Sequence, residues 1–287
     1  MKRIRQEYLA LLYFSGPFLL LGAYVPQPAE LWTAILAGGG ISMVILFLYG
    51  FLLKKLSANL PFRIASGIIA IPLSVFSLGA FSLFIQTCVL RESLPWMFPA
   101  VLVAMAIWAA IRGERTIEGF SRLMGPAILL FFAIVIISAV LKIDAQILLP
   151  KIPLDKMVFR QWLPPVSALY LLQGFVLLTL LASRKTTEEN PSANEKEAKR
   201  VNVFRDIAIG MGLSILLTSG SLLASAQALG HIVFETLPFP FYYPPVLARD
   251  TEYLERIEIL WLAILFFAEF VKQAALFTSI RKIFKPQ

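Results

Sequence analysis

Two acidic–basic pairs stand at helical spacing where ordinary chain composition would not place them. Glu269 and Lys272 are i,i+3 neighbours inside an apolar run, and Glu118 and Arg122 are i,i+4 neighbours at the edge of another. Residues three and four apart share one face of a helix, so each spacing predicts an ion pair. An ionisable group within a membrane span is costly, which makes it a functional or gating candidate by default. Glu255, Arg256 and Glu258 stand at the outer mouth of the run that holds Glu269, at an interface where long side chains reach water. A second kind of chemistry comes from helix breaks. Ser15-Gly16-Pro17 interrupts the first apolar run, and Tyr170-Leu171-Leu172-Gln173-Gly174, preceded by Pro164-Pro165, weakens another. Proline removes a helix bond and glycine permits a bend, and unwound backbone at membrane depth is tolerated only against protein or a cavity. Ser15, Gly16, Pro17, Tyr170, Gln173 and Gly174 are therefore the candidate binding residues for a small ligand.

Covalent catalysis has no comparable foothold. The chain has one cysteine, Cys88, and one histidine, His231, so neither an internal disulfide nor a two-histidine metal site can form. A phosphate-cradling Gly-Lys loop, a GxSxG elbow and an HExxH helix are all missing from the sequence. The expectation is a non-enzyme that needs no cofactor and no metal.

The elements that must hold these residues follow from composition. Of 287 residues, 58% are hydrophobic and only 15% are charged, and mean hydropathy is +0.76. Soluble domains carry about 25% charged residues. The imbalance excludes a soluble enzyme, a disordered chain and a nucleic-acid-binding module, and it leaves an integral membrane protein. At about 20 apolar residues per span, this length holds about eight to ten spans. Eight apolar runs separate at charged or proline-rich breaks: 8–25, 31–53, 64–90, 95–111, 123–141, 162–183, 203–233 and 254–280. They are continuous rather than alternating, which predicts helices, not a barrel. The chain reads as one membrane domain, with residues 184–200 as a polar cytoplasmic linker. The seventh run is dense in small residues, from Gly210 to Ala226, which predicts close helix packing.

The net charge of +8 fits loops facing the inner leaflet better than a nucleic-acid partner. With the N-terminus inside, 18 of the 26 Lys and Arg residues fall in inner segments and 7 in outer ones, with Lys272 within a span. That asymmetry predicts both termini in the cytoplasm. Lys2-Arg3-Ile4-Arg5 before the first run has no small-x-small cleavage site after it, so an uncleaved first span is expected.

Three patches carry a family resemblance. Phe239-Pro240-x-Tyr242, Ala248-Arg249 and Tyr253-Leu254-Glu255-Arg256-Ile257-Glu258, continued by Trp261, Phe270 and Lys272, resemble the most recognisable segment of the spore germination permeases. These are the GerAB-type B-subunits of nutrient germinant receptors. Ile117-Glu118-x-x-x-Arg122 resembles their G-[IL]-E-x-x-x-R junction, and Leu148-Leu149-Pro150 their L-L-P. The similarity runs in order over nearly the whole chain. It implies the amino acid–polyamine–organocation superfamily and a LeuT-like five-plus-five inverted repeat with broken first and sixth helices. A small nutrient, such as an amino acid, would be sensed near the midplane. A and C subunits would be partners in the bacterial spore inner membrane. Thr116 replaces the family's usual Gly, and Phe175 follows Gly174 where the family carries Glu. Eight runs against the family's ten helices predict a shortened form of the fold. The expected function is a transporter-like germinant-receptor subunit; a secondary amino acid transporter and a truncated, ligand-free scaffold are the alternatives.

Overall fold

The computed structural model describes residues 7–15, 31–52, 60–89, 94, 96–141, 156–183, 193–239, 242 and 257–284. Within them the chain forms α1 (Glu7–Phe14), α2 (Leu31–Leu52), α3 (Leu60–Phe84), α4 (Met97–Arg112), α5 (Glu114–Leu141), α6 (Lys156–Ser183), α7 (Ala193–Leu229), α8 (His231–Thr236) and α9 (Ile257–Phe284). No strand occurs among the described residues. Among the described residues six stretches are long and apolar enough to cross a membrane: Leu31–Tyr49, Pro61–Val89, Glu114–Ile134, Phe159–Leu181, Val203–Gln227 and Trp261–Ile283. The protein is therefore an all-α polytopic membrane protein. In hydrocarbon every backbone amide must be satisfied within its own segment, and a helix does this.

Of the eight runs expected as spans, two differ from those six. The fourth forms α4, whose 16 residues fall short of the usual span length. Of the first, 8–25, only α1 and Ser15 are described; Gly16 and Pro17 lie outside the described residues.

α1 is the central element. Every residue from Leu9 to Ser15 is buried, and the helix touches α5, α6, α7 and α9. Its crossing with α7 is a backbone-to-backbone approach. A Cβ on Gly210 would lie 2.4 Å from the Glu7 carbonyl oxygen and 2.7 Å from the Leu11 nitrogen, so a small residue there is a packing requirement. The second hub is α9, which packs on α1, α3, α4, α5 and α6.

Three sequence expectations are corrected. Residues 193–200, read as part of a linker, are the opening turns of α7; Ala, Glu, Lys and Arg dominate them and are strong helix formers. The seventh run does not continue to residue 233: α7 ends at Leu229. Gly230 adopts φ +75°, and α8 begins after it. Finally, α6 shows no break: it runs unbroken through Pro164-Pro165 and through Tyr170–Gly174. Gly174 serves close approach instead, because a Cβ there would meet Leu46 of α2 at 2.1 Å.

Two ends of the bundle are tied by specific contacts. At one end Arg281 donates to the Ala110 and Ile111 carbonyls of α4, at 2.7 and 3.0 Å. Lys282 donates to the Leu180 carbonyl of α6 at 3.0 Å and pairs with Glu114, the first residue of α5. Cations at helix C-termini satisfy carbonyls that have no intrahelical partner. The C-termini of α4, α6 and α9 and the start of α5 thus share one side. At the other end α3 continues into a π-helical turn, Ile85–Val89. There the Phe84 ring meets Phe239 and Tyr242 edge-on, each at 5.4 Å. Phe239 holds φ +58°, a strained conformation for a residue with a Cβ.

Candidate functional site

α3 and α9 run antiparallel and face each other through polar side chains. Ser77 donates from Oγ to Glu269 Oε1, and Gln273 Nε2 donates to the same oxygen at 2.6 Å. Gln273 is fixed in turn by Ser74: its Oε1 accepts from Ser74 Oγ at 2.6 Å, and its Nε2 reaches the Ser74 carbonyl at 3.3 Å. Position decides who participates. Ser74 and Ser77 are i,i+3 on α3, and Glu269 and Gln273 are i,i+4 on α9, so each helix presents its pair on one face.

Lys272 completes the cluster. Its Nζ lies 4.0 Å from Glu269 Oε2, and both side chains have zero exposure. That separation exceeds hydrogen-bond range. Nζ and Oε2 both lack a hydrogen-bond partner, although Oε1 of the same carboxylate is doubly engaged. The pair predicted from the i,i+3 spacing is thus present, but slack. A buried charge without hydrogen bonds costs several kcal/mol, so the two atoms are poised to take a polar partner.

A second polar group lies at the same depth. Lys282 meets Leu180 where α6 and α9 end on the same side. Ten residues back along each helix, about 15 Å at 1.5 Å per residue, stand Tyr170 and Lys272. Gln173 is fully buried, and both its amide oxygen and its amide nitrogen lack a partner. The Tyr170 side chain is buried beside Thr218 of α7, and its ring lies 6.2 Å from Phe14 at the end of α1. Tyr13, the preceding residue, also buries a hydroxyl without a partner. The end of α1 therefore meets α6 through Phe14 and Tyr170, of which only Tyr170 is a candidate binding residue. Ser15 itself is occupied locally, its Oγ donating to the Leu11 carbonyl at 2.6 Å.

The remaining candidates divide. Glu118 is buried and Arg122, one turn on, is exposed, so the two face different surroundings. Glu255 and Arg256 lie outside the described residues; Glu258 lies in the first turn of α9, with its side chain outside the description. Among the described residues no group of three His, Cys, Asp or Glu side chains could hold a metal ion.

Sequence reasoning missed Ser74, Ser77, Gln273 and Tyr13. The two serines stand one turn apart on one face of an apolar helix, and Gln273 stands i+4 from an acid within an apolar run; those were the available signals. No family model, curated protein or solved structure matches this chain. Fold and site together define a class: an all-α integral membrane protein whose core holds a charged, incompletely bonded polar cluster.

Proposed function

We propose that the chain is a transporter-like, nutrient-sensing subunit of a spore germinant receptor. On this reading it sits in the bacterial spore inner membrane with both termini inside, built on a LeuT-like plan, and binds a small ligand such as an amino acid. The observation that carries the reading is the set of buried polar atoms without partners on Gln173, Lys272 and Glu269. Buried polar groups are almost always satisfied, so a group left open inside a membrane bundle marks a place where something binds. The residue resemblance supplies the receptor context and its A and C subunits. Binding would favour one helix arrangement and pass that bias to those partners.

The test is one reconstitution with two readouts. The purified chain, in proteoliposomes and with its A and C partners, is given labelled amino acids. Saturable binding without accumulation is expected. Accumulation inside the vesicles would make the chain a secondary transporter. Neither binding nor uptake, with partners still co-purifying, would reduce it to a scaffold.

A further inference from the structure

We propose that Glu269 and Lys272 are the charge-selecting residues of the ligand site and admit a head group that carries one positive and one negative charge. This rests on the small-ligand reading above. On Glu269, Oε1 is already engaged by Ser77 Oγ and Gln273 Nε2. Gln273 is itself committed to Ser74 through both ends of its amide. Those four contacts fix the carboxylate plane, so Ser74, Ser77 and Gln273 are positioning residues. What remains open is one acceptor, Oε2, and one cationic donor, Nζ, 4.0 Å apart. An ammonium group can donate to the first while a carboxylate accepts from the second.

Charge balance decides which head groups are admitted. The pair is neutral as a whole, and both members are closed from solvent. A lone carboxylate would leave one net negative charge in a low-dielectric interior, and a lone amine one net positive charge; both are strongly disfavoured there. A zwitterion leaves the total at zero and fills both open atoms.

The experiment uses the full chain in lipid nanodiscs and a pool of labelled standard α-amino acids. Competitors are the corresponding deaminated carboxylic acids and decarboxylated amines. For the wild-type chain, saturable binding that neither competitor class displaces is expected. In Glu269→Gln the site keeps only a cation, and the carboxylic acids should compete about tenfold or more better. In Lys272→Gln it keeps only an anion, and the amines should gain by the same factor. Either single variant leaves an unpaired buried charge and is prone to misfold. The double variant Glu269→Gln/Lys272→Gln removes both charges, and zwitterion binding should fall about tenfold or more. Wild-type-like zwitterion binding by the double variant, or unchanged competitor preference in folded single variants, overturns the inference while leaving a ligand site intact. No saturable binding by the wild-type chain defeats the small-ligand reading and, with it, this inference.

Discussion

Lys272 is the residue with most at stake. Its ammonium group is fully buried, and the Glu269 carboxylate is 4.0 Å away. Replacing Lys272 with Met strands the Glu269 carboxylate in the core, which should cost about 3–5 kcal/mol. Replacing both members with apolar residues of similar volume should cost far less, since a buried pair gains little over well-packed hydrophobes. Thermal unfolding in detergent of the single and the double variant measures the difference directly. The serines make a smaller contribution. Ser77→Ala removes one of the two hydrogen bonds at Glu269 Oε1 and should destabilise by about 1–3 kcal/mol, read in the same assay. The Glu269–Lys272 pair was legible from its spacing alone, because i,i+3 geometry is local. Ser74 and Ser77 were not. Their partners lie more than 190 positions away in the chain, and nothing local fixes which face of α3 meets α9. For Glu118 and Arg122 the spacing places both on one helix, but which of them is buried follows from the packing of α5, which covers Glu118 and leaves Arg122 exposed.

At the level of elements, contacts between helices are set by where a side chain is missing. Gly210 lets the α1 backbone lie directly against α7. Gly210→Ala forces two backbones apart and should cost about 1–3 kcal/mol through overpacking. Gly174→Ala confronts only the end of the flexible Leu46 side chain and should be milder. Comparison of detergent melting temperatures ranks the two. That prediction separates helix breaks from helix contacts, which the sequence does not do. Tyr170–Gly174 reads as a weak point because it contains glycine and follows two prolines, yet α6 runs straight through it. The glycine was chosen for its neighbour, and that neighbour on α2 is invisible to a local reading. The polar start of α7 teaches the same lesson with the opposite sign. Its charged composition reads as linker, while its individual residues favour helix.

For the whole molecule, hydropathy and continuity of the apolar runs were sufficient for the class, an all-α membrane bundle. Lipid leaves the backbone almost no other solution. They were not sufficient for the arrangement, because which helix becomes the hub depends on shape rather than on apolarity. The side of the membrane is a separate matter, and here the excess of Lys and Arg in alternate loops makes a sharp prediction. In a Cys88→Ala background, a cysteine at position 195 or 285 should react with a membrane-impermeant thiol reagent only after the cytoplasmic face is exposed. A cysteine at position 252 should react from the opposite side. Labelling of all three from the same face would overturn the two-sided topology.

The position of α9 in the chain sets an order of assembly. It follows every helix it packs on, so α3, α4, α5 and α6 enter the bilayer before the segment that ties them together. Until then Ser74 and Ser77 lack the partners they take on α9, and the last carbonyls of α4 and α6 lack the cations that cap them. When α9 arrives, it brings Glu269 and Lys272 across the membrane as a neutral unit and sets Arg281 and Lys282 at the other helices' ends. During synthesis the bundle therefore passes through a stage in which most of its apolar length is inserted while its polar connections are still unmade. That stage is the one most exposed to mispairing and to membrane quality control.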